Sequence, residues 1–164
     1  MKRLFLIMVL AAGFVGSVNA QQQKLYSVFM YTFTKHISWP NNSGDFIIEV
    51  LGDDVLYNEL SNISKVKKVG TRSMNVKKIS SLSASSNPHM LFIGKSTSGD
   101  INNAKSKIGK ETLLVTDDMN YSADFHHINF IMNGGKVNFE IYESEINNTN
   151  LKMSGQLKSL GIVK

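Results

Sequence analysis

Two acidic pairs stand where the sequence predicts that a buried strand ends. Asp53 and Asp54 follow the apolar run Phe46–Leu51, and Asp117 and Asp118 follow a second short apolar run. Carboxylate oxygens are the ligands that divalent cations such as Mg²⁺ and Ca²⁺ prefer, so paired acids after strands could hold such an ion. The plainer interpretation, which the sequence favours, is that these side chains cap helices and solvate loops.

The histidines are the other candidate metal ligands. His126 and His127 are adjacent, and if they lie on a strand their side chains point to opposite faces, so the two do not readily chelate one ion. His36 and His89 are distant from them and from each other in the chain. We therefore expect no metal and no cofactor.

Signatures of catalysis are missing from the sequence. The chain has no cysteine, which removes thiol catalysis and iron–sulfur chemistry. It has no Gly-x-Ser-x-Gly motif for a serine nucleophile and no glycine-rich phosphate loop, and Gly134-Gly135 suits a hairpin turn instead. These absences predict that the protein is not an enzyme.

Partner binding is the remaining chemistry, and five side chains are candidates for it. Glu140, Tyr142, Asn138 and Asn129 fall on the polar side of a predicted hairpin, and Trp39 could be an exposed aromatic anchor. In the alternative interpretation, the four hairpin residues form a solvated face and Trp39 belongs to the core.

The elements that position these residues begin with a helix. Apolar side chains recur at steps of three and four over residues 21–38, which predicts a helix with a broad buried face. Pro40 ends it, because the residue before a proline is pushed out of the helical region. The run Phe46–Leu51 predicts a strand covered on both faces, and Asp53 or Asp54 can cap a helix that continues through about Ser64. This strand–turn–helix order predicts parallel neighbours in a sheet.

A β-hairpin is predicted near the carboxyl end, over residues 127–142. Apolar and polar residues alternate on both sides of Asn133-Gly134-Gly135, and both Asn-Gly and Gly-Gly suit two-residue turns, so the register stays open. The side chains expected to face the core are Ile128, Phe130, Met132, Val137, Phe139 and Ile141.

The remaining pattern completes an α/β fold. Strands are predicted at residues 71–79, 89–93 and 111–116, and helices at residues 98–108 and from Ser154. We expect a three-layer sandwich with a mixed, mostly parallel sheet of about five to six strands, a carboxyl-terminal hairpin and helices on both faces.

The amino terminus has the features of a signal peptide. Met1-Lys2-Arg3 is positive, an apolar run follows, and Val18-Asn19-Ala20 offers small residues to a signal peptidase. The run is shorter than the roughly 20 apolar residues that a membrane span needs. Cleavage after Ala20 leaves one predicted domain, residues 21–164, and predicts a periplasmic protein. A cysteine-free exported domain of this size also fits a bacterial periplasm.

The basic residues do not indicate nucleic-acid binding. The full chain has a formal charge of +5, and removal of Lys2 and Arg3 lowers it to +3. The lysines are scattered, and the one tight cluster, residues 65–68, suits a solvated helix end.

Three stretches resemble the YfiR-like family of periplasmic regulatory proteins. Residues 28–40 (VFMYTFTKHISWP) are similar to its opening helix with an F-x-K-x-I-x-W-P pattern. Residues 46–54 (FIIEVLGDD) are similar to its first strand and glycine turn. INFIMNGGKVNFEI (residues 128–141), followed by LKMSGQLKSLG (residues 151–161), is similar to its closing signature. The order and spacing of the three agree with the family.

The resemblance implies a three-layer α/β fold and a regulatory role in the periplasm. It implies repression of an inner-membrane diguanylate cyclase through that enzyme's periplasmic sensor region, relief by an outer-membrane lipoprotein, and a homodimer. Within the matched Phe139-Glu140-Ile141 motif, Glu140 is the expected interaction residue. The alternative function is a periplasmic small-molecule-binding protein that serves a sensor kinase or a transporter. Redox sensing through disulfides, which the family's namesake has, does not carry over to a chain without cysteine.

Overall fold

The structure, a computed structural model, describes residues 20–164 and confirms the α/β class. Five α-helices are described: α1 (residues 20–36), α2 (Asp54–Ser64), α3 (Ile101–Lys107), α4 (Glu143–Asn147) and α5 (Gly155–Leu160). Ten strands are described: β1 (Ile37–Ser38), β2 (Phe46–Leu51), β3 (Lys68–Val69), β4 (Arg72–Ile79), β5 (Met90–Ile93), β6 (Leu113–Thr116), β7 (Ile128–Asn133), β8 (Lys136–Ile141), β9 (Lys152–Met153) and β10 (Ile162–Val163). Two 3₁₀ segments, Leu82–Ala84 and Lys95–Asp100, complete the set.

The main sheet has eight strands, more than the expected five to six, in the order β10-β8-β7-β6-β5-β2-β4-β3. Strands β4, β2, β5, β6 and β7 run parallel to one another, as the strand–turn–helix order predicts. The hairpin strand β8 is antiparallel to β7, and two-residue strands extend each edge. Strands β1 and β9 pair separately.

Helices cover both faces of the sheet, so the layers match the expectation. One apolar cluster joins one face to α1, α2, α4 and α5. Its buried helical members are Tyr26, Met30, Phe33, Leu56, Leu60, Ile146 and Leu157. A second cluster on the other face includes Ile101 and Ala104 of α3 and Leu82 of a 3₁₀ segment. The Tyr26 ring of α1 stacks on Phe130 of β7, with centroids 3.9 Å apart.

Glu49, the one charged residue in β2, is buried and fully engaged. Its carboxylate accepts hydrogen bonds from the Ser85 hydroxyl at 2.6 Å and from the Ser86 hydroxyl at 2.6 Å. The Ser86 backbone N–H also donates to it at 3.2 Å. The serine-rich loop therefore supplies the donors that a buried carboxylate in a central strand requires.

The hairpin turns at Gly134-Gly135, which settles the register that the sequence left open. Asn133 pairs with Lys136, and both glycines have positive φ, +57° and +75°. Two consecutive positive φ values define the turn type that matches the twist of a two-residue hairpin.

Within the described residues, no helix is both long enough and apolar enough to cross a membrane. The signal peptide predicted for residues 1–20 lies outside the described residues, apart from Ala20, so its cleavage stays a prediction.

Candidate functional site

Two of the four residues on the predicted polar face of the hairpin are buried, which corrects the expectation that all four are solvated. Asn129 is 0 % exposed and Glu140 is 4 % exposed, and they are register partners on β7 and β8. Asn138 and Tyr142 are half-buried. The expectation failed because the segment between β6 and β7, with buried Phe125, packs on this second face.

Asn129 joins three polar groups. Its Oδ1 accepts from the Asp118 backbone N–H at 2.9 Å and from the Thr116 hydroxyl at 2.8 Å. Its Nδ2 donates to the Asp118 carbonyl at 3.1 Å. Asn129 therefore fastens the start of the segment after β6 to strand β7, and its side-chain hydrogen bonds are used within the chain.

Asp118 and His126 continue this network. The Asp118 carboxylate accepts from the Ser122 hydroxyl at 2.8 Å and from the Ala123 backbone N–H at 2.9 Å, and it lies 3.7 Å from His126 Nε2. Burial alone would raise the pKa of Asp118, but these hydrogen bonds outweigh it and the pKa is lowered. Burial lowers the pKa of His126. Asp118 is thus a structural carboxylate held in its charged form.

Glu140 lies at the outer end of the network, beside the edge strand β10. Its carboxylate accepts from the Tyr142 hydroxyl at 3.1 Å and pairs with Lys164 Nζ at 3.2 Å. Burial, followed by the charge of Glu140, raises the pKa of Tyr142. Since Glu140 is also the register partner of Ile162, it helps to hold the short edge strand in place.

Tyr121 is an exposed aromatic residue beside this cluster, and sequence reasoning did not single it out. It is 53 % exposed and has a φ of +50°, a region that a tyrosine rarely adopts. Burial and then the charge of Glu140 raise the pKa of Tyr121. Strained, exposed residues of this kind concentrate at functional sites. No sequence motif marks it.

Trp39 is a core residue, so the alternative in which it is an exposed anchor is wrong. It is 5 % exposed, and its ring meets Phe46 edge-on with centroids 4.8 Å apart. Its indole N–H donates to the His89 carbonyl at 3.0 Å. The ring closes the end of the core where α1 gives way to the loop before β2.

Three of the histidines bind their own chain. His127 Nδ1 accepts from the Leu114 N–H at 3.0 Å, and His89 Nδ1 accepts from the Ile47 N–H at 3.0 Å. His126 Nδ1 lies 2.9 Å from the Thr116 hydroxyl. Among residues 20–164, no group of three histidines or acids is arranged to hold a metal ion.

The four aspartates at the strand ends lie at one edge of the sheet, because parallel strands share their carboxyl ends. Asp53, Asp54 and Asp117 line one crevice there, whereas Asp118 turns into the polar network. Asp53 caps α2 by accepting from the Leu56 N–H at 2.8 Å, as the plainer interpretation of the sequence predicted.

Comparison with known proteins identifies the family. The YfiR/HmsC-like family matches residues 23–161, which is nearly the whole described chain. The protein therefore belongs to the YfiR/HmsC-like family, and the resemblance found in its sequence is confirmed. No curated protein matches the chain.

Proposed function

We propose that this protein is an exported regulatory binding protein that controls an inner-membrane signalling protein of the diguanylate cyclase type through its periplasmic sensor region. The observation that carries the proposal is the family match over residues 23–161, since this family is known for periplasmic regulation of diguanylate cyclases. In this proposal the protein acts by binding and not by catalysis. A homodimer and a releasing outer-membrane lipoprotein stay predictions.

Regulation of this kind requires a difference in affinity between two states of the sensor. A regulator that binds the inactive state more tightly shifts the sensor toward it by that difference in binding free energy and no more. A repressor of this class therefore needs a rigid surface whose contacts fit one state of the sensor.

We place the contact surface at the β10 edge, around Glu140. Tyr121, Tyr142 and Val163 offer partly or largely exposed side chains there. Among the described strands, β10 is an edge strand of the main sheet, so it can pair with another chain. Aromatic residues are favoured in interface centres. Because Glu140 is buried, its part in binding is to hold Tyr142 and Lys164 in position.

Deletion of the gene tests the function. The proposal predicts a changed cyclic-di-GMP level and co-purification of the protein with an inner-membrane sensor. If cyclic-di-GMP stays unchanged and no inner-membrane signalling protein co-purifies, the proposal is wrong.

Two matched variants test the surface. Val163→Asp on β10 should weaken co-purification at least tenfold, whereas Val66→Asp should not, because Val66 is 77 % exposed next to β3 at the opposite edge of the sheet. If both variants weaken co-purification equally, or if neither weakens it, the contact surface is not at the β10 edge. Tyr121→Ser should resemble Val163→Asp and leave the fold intact.

The alternative, a periplasmic small-molecule binder that serves a sensor kinase or a transporter, is favoured by one observation. A cavity of about 620 Å³ opens at the carboxyl edge of the sheet, and its volume suits a metabolite.

A further inference from the structure

The crevice at the carboxyl edge of the sheet lies where the strand order reverses. After β2 the chain continues to β4, which lies on one side of the β2–β5 pair in the sheet. After β5 it continues to β6, which lies on the opposite side of that pair. Strands β2 and β5 are neighbours, so a gap opens outside their carboxyl ends. Open α/β sheets bind ligands at such positions.

Two glycines bring the strand ends together at this place. Gly52, after β2, has a φ of +78°, and a Cβ on it would lie 2.3 Å from Thr97 Oγ1. A Cβ on Gly94, after β5, would lie 2.8 Å from the Gly52 carbonyl. The Ser96 hydroxyl donates to the Gly52 carbonyl at 2.7 Å and so links the segment after β5 to the end of β2. The walls of the crevice are therefore tightly packed.

The crevice holds two buried acceptor atoms without donors. Asp117 Oδ1 and Gln23 Oε1 make no hydrogen bond in the described part of the chain, and both side chains line the crevice. Asp117 is 4 % exposed. A buried acceptor without a donor costs about 1–3 kcal/mol, so the site is complementary to a ligand that supplies N–H donors.

The charge of the crevice favours a cation. Asp53, Asp54 and Asp117 contribute three carboxylates to its lining and Lys95 contributes one ammonium. Lys78 Nζ pairs with Asp54 at 2.7 Å, so a formal charge of −1 remains when all five groups are ionised. The aspartates do not converge as metal ligands do, since no metal-binding group of three occurs among residues 20–164. An organic cation therefore fits the donors and the charge better than an ion such as Mg²⁺.

We propose that this crevice binds a small aliphatic amine, whose ammonium group donates to Asp117 Oδ1 and Gln23 Oε1. The cavity has room for a second amino group that faces Asp53 and Asp54 at the rim, so a short diamine is the simplest ligand of this class. The inference does not depend on the proposed regulatory function.

The ligand needs Asp117 in its ionised form, which makes binding sensitive to pH. Burial raises the pKa of Asp117 to about 6, the Tyr26 hydroxyl and Lys95 lower it, and Asp53 and Asp118 raise it. An ammonium ligand stays charged throughout this range. Affinity should therefore fall as the pH drops below about 6.

Calorimetric titration of the purified protein with 1,4-diaminobutane at pH 7.5 tests the site. The proposal predicts saturable binding of the diamine and none of butane-1,4-diol, which has the same length and no charge. Asp117→Asn should weaken binding at least tenfold, about 1.4 kcal/mol, and Gln23→Leu should weaken it less. Asp124→Asn removes an exposed carboxylate away from the crevice and should leave binding unchanged.

Three results would overturn the proposal. They are an absence of heat with 1,4-diaminobutane and with butylamine, diamine binding that Asp117→Asn does not weaken, and saturable Mg²⁺ binding that depends on Asp117. The last result would identify a metal site instead. None of them bears on partner binding at the β10 edge, which the Val163→Asp variant tests separately.

Discussion

Asp117 and Asp118 are adjacent in sequence and both buried, yet their surroundings are opposite. Asp118 accepts from the Ser122 hydroxyl and the Ala123 N–H, and its pKa is lowered. Asp117 faces the crevice with one oxygen unpaired, and burial raises its pKa to about 6. One carboxylate stabilises the fold in its charged form, whereas the other is held charged at neutral pH at a cost to the fold.

The comparison separates structure from candidate function in this molecule. Nearly all buried polar groups in native proteins have a hydrogen-bond partner, so a buried carboxylate oxygen without one calls for an explanation. The network of Asp118, Asn129 and His126 is explained by the fold, because it ties the segment after β6 to the hairpin. The fold does not explain the unpaired Asp117 oxygen in the crevice, whereas the proposed amine would supply the missing donor.

The largest effect is expected from Asn129→Leu in the satisfied network. Leucine leaves the Asp118 N–H without its partner, and it removes one hydrogen bond each from the Asp118 carbonyl and the Thr116 hydroxyl, which keep the Tyr121 N–H and His126 Nδ1. The loss of these three buried hydrogen bonds should lower the free energy of unfolding by roughly 3–5 kcal/mol. Chemical denaturation monitored by circular dichroism measures the change.

Asn138→Leu is the matched control on the same hairpin. Asn138 is half-buried, and within residues 20–164 its side chain makes one hydrogen bond, which Oδ1 accepts from the N–H of its neighbour Phe139. The substitution should change stability by no more than about 0.5 kcal/mol. If Asn129→Leu and Asn138→Leu lower the free energy of unfolding equally, the network around Asn129 does not stabilise the fold.

Asp117→Asn should act in the opposite direction and stabilise the free protein. Folding raises the pKa of the Asp117 carboxyl from 3.8 to about 6, so the folded state binds this proton more tightly than the unfolded state does. The free energy of unfolding therefore falls as the pH rises through this range. Removal of the charge should raise the free energy of unfolding at pH 8 by at most about 3 kcal/mol. Below pH 4 the variant and the wild type should be equally stable.

Thermal denaturation across pH 4–8 measures this difference, with Asp124→Asn as the control of equal charge change. A variant that is less stable than wild type at pH 8 would mean that the Asp117 carboxylate is satisfied after all.

Glu140→Gln should have the smallest effect of the three. It removes the ion pair with Lys164, whose side chain is half exposed, so the cost should be about 0.5–1.5 kcal/mol. Amide exchange at Lys164, whose N–H donates to the Ile141 carbonyl, should become faster as β10 loosens. The surface pair Lys78–Asp54 provides the control, and Lys78→Gln should cost less than Glu140→Gln. If Lys78→Gln lowers the free energy of unfolding more than Glu140→Gln does, Glu140 does not hold strand β10 in place.

Local patterns predicted much of the fold correctly. The Phe46–Leu51 strand, a cap of α2 by Asp53 or Asp54, and the two-residue hairpin depend on nearby residues. All three were confirmed, with Asp53 as the cap. The direction in which the hairpin side chains point was predicted only in part. Four of the residues expected in the core are buried: Ile128, Phe130, Phe139 and Ile141. However, Met132 was expected in the core and is 46 % exposed, whereas Glu140 was expected on the polar face and is buried. Alternation gives two faces, but it does not show that a distant segment covers the second one.

The candidate sites were less accessible from sequence. The acidic pairs at strand ends were recognised, since parallel strands bring their carboxyl ends to one edge. Gln23 and Lys95 reach that edge from elements far along the chain, and Tyr121 and Lys164 meet Glu140 only through the tertiary fold. Spacing along the chain carries no signal for such contacts.

Carbon-13 NMR titration of the aspartate carboxyl groups tests the central comparison most directly. The structure predicts that the Asp117 carboxyl titrates near pH 6 and that the Asp118 carboxyl titrates below the ordinary value of 3.8. If both carboxyl groups titrate near the ordinary aspartate value, the crevice holds no unsatisfied carboxylate and the distinction between the two regions fails.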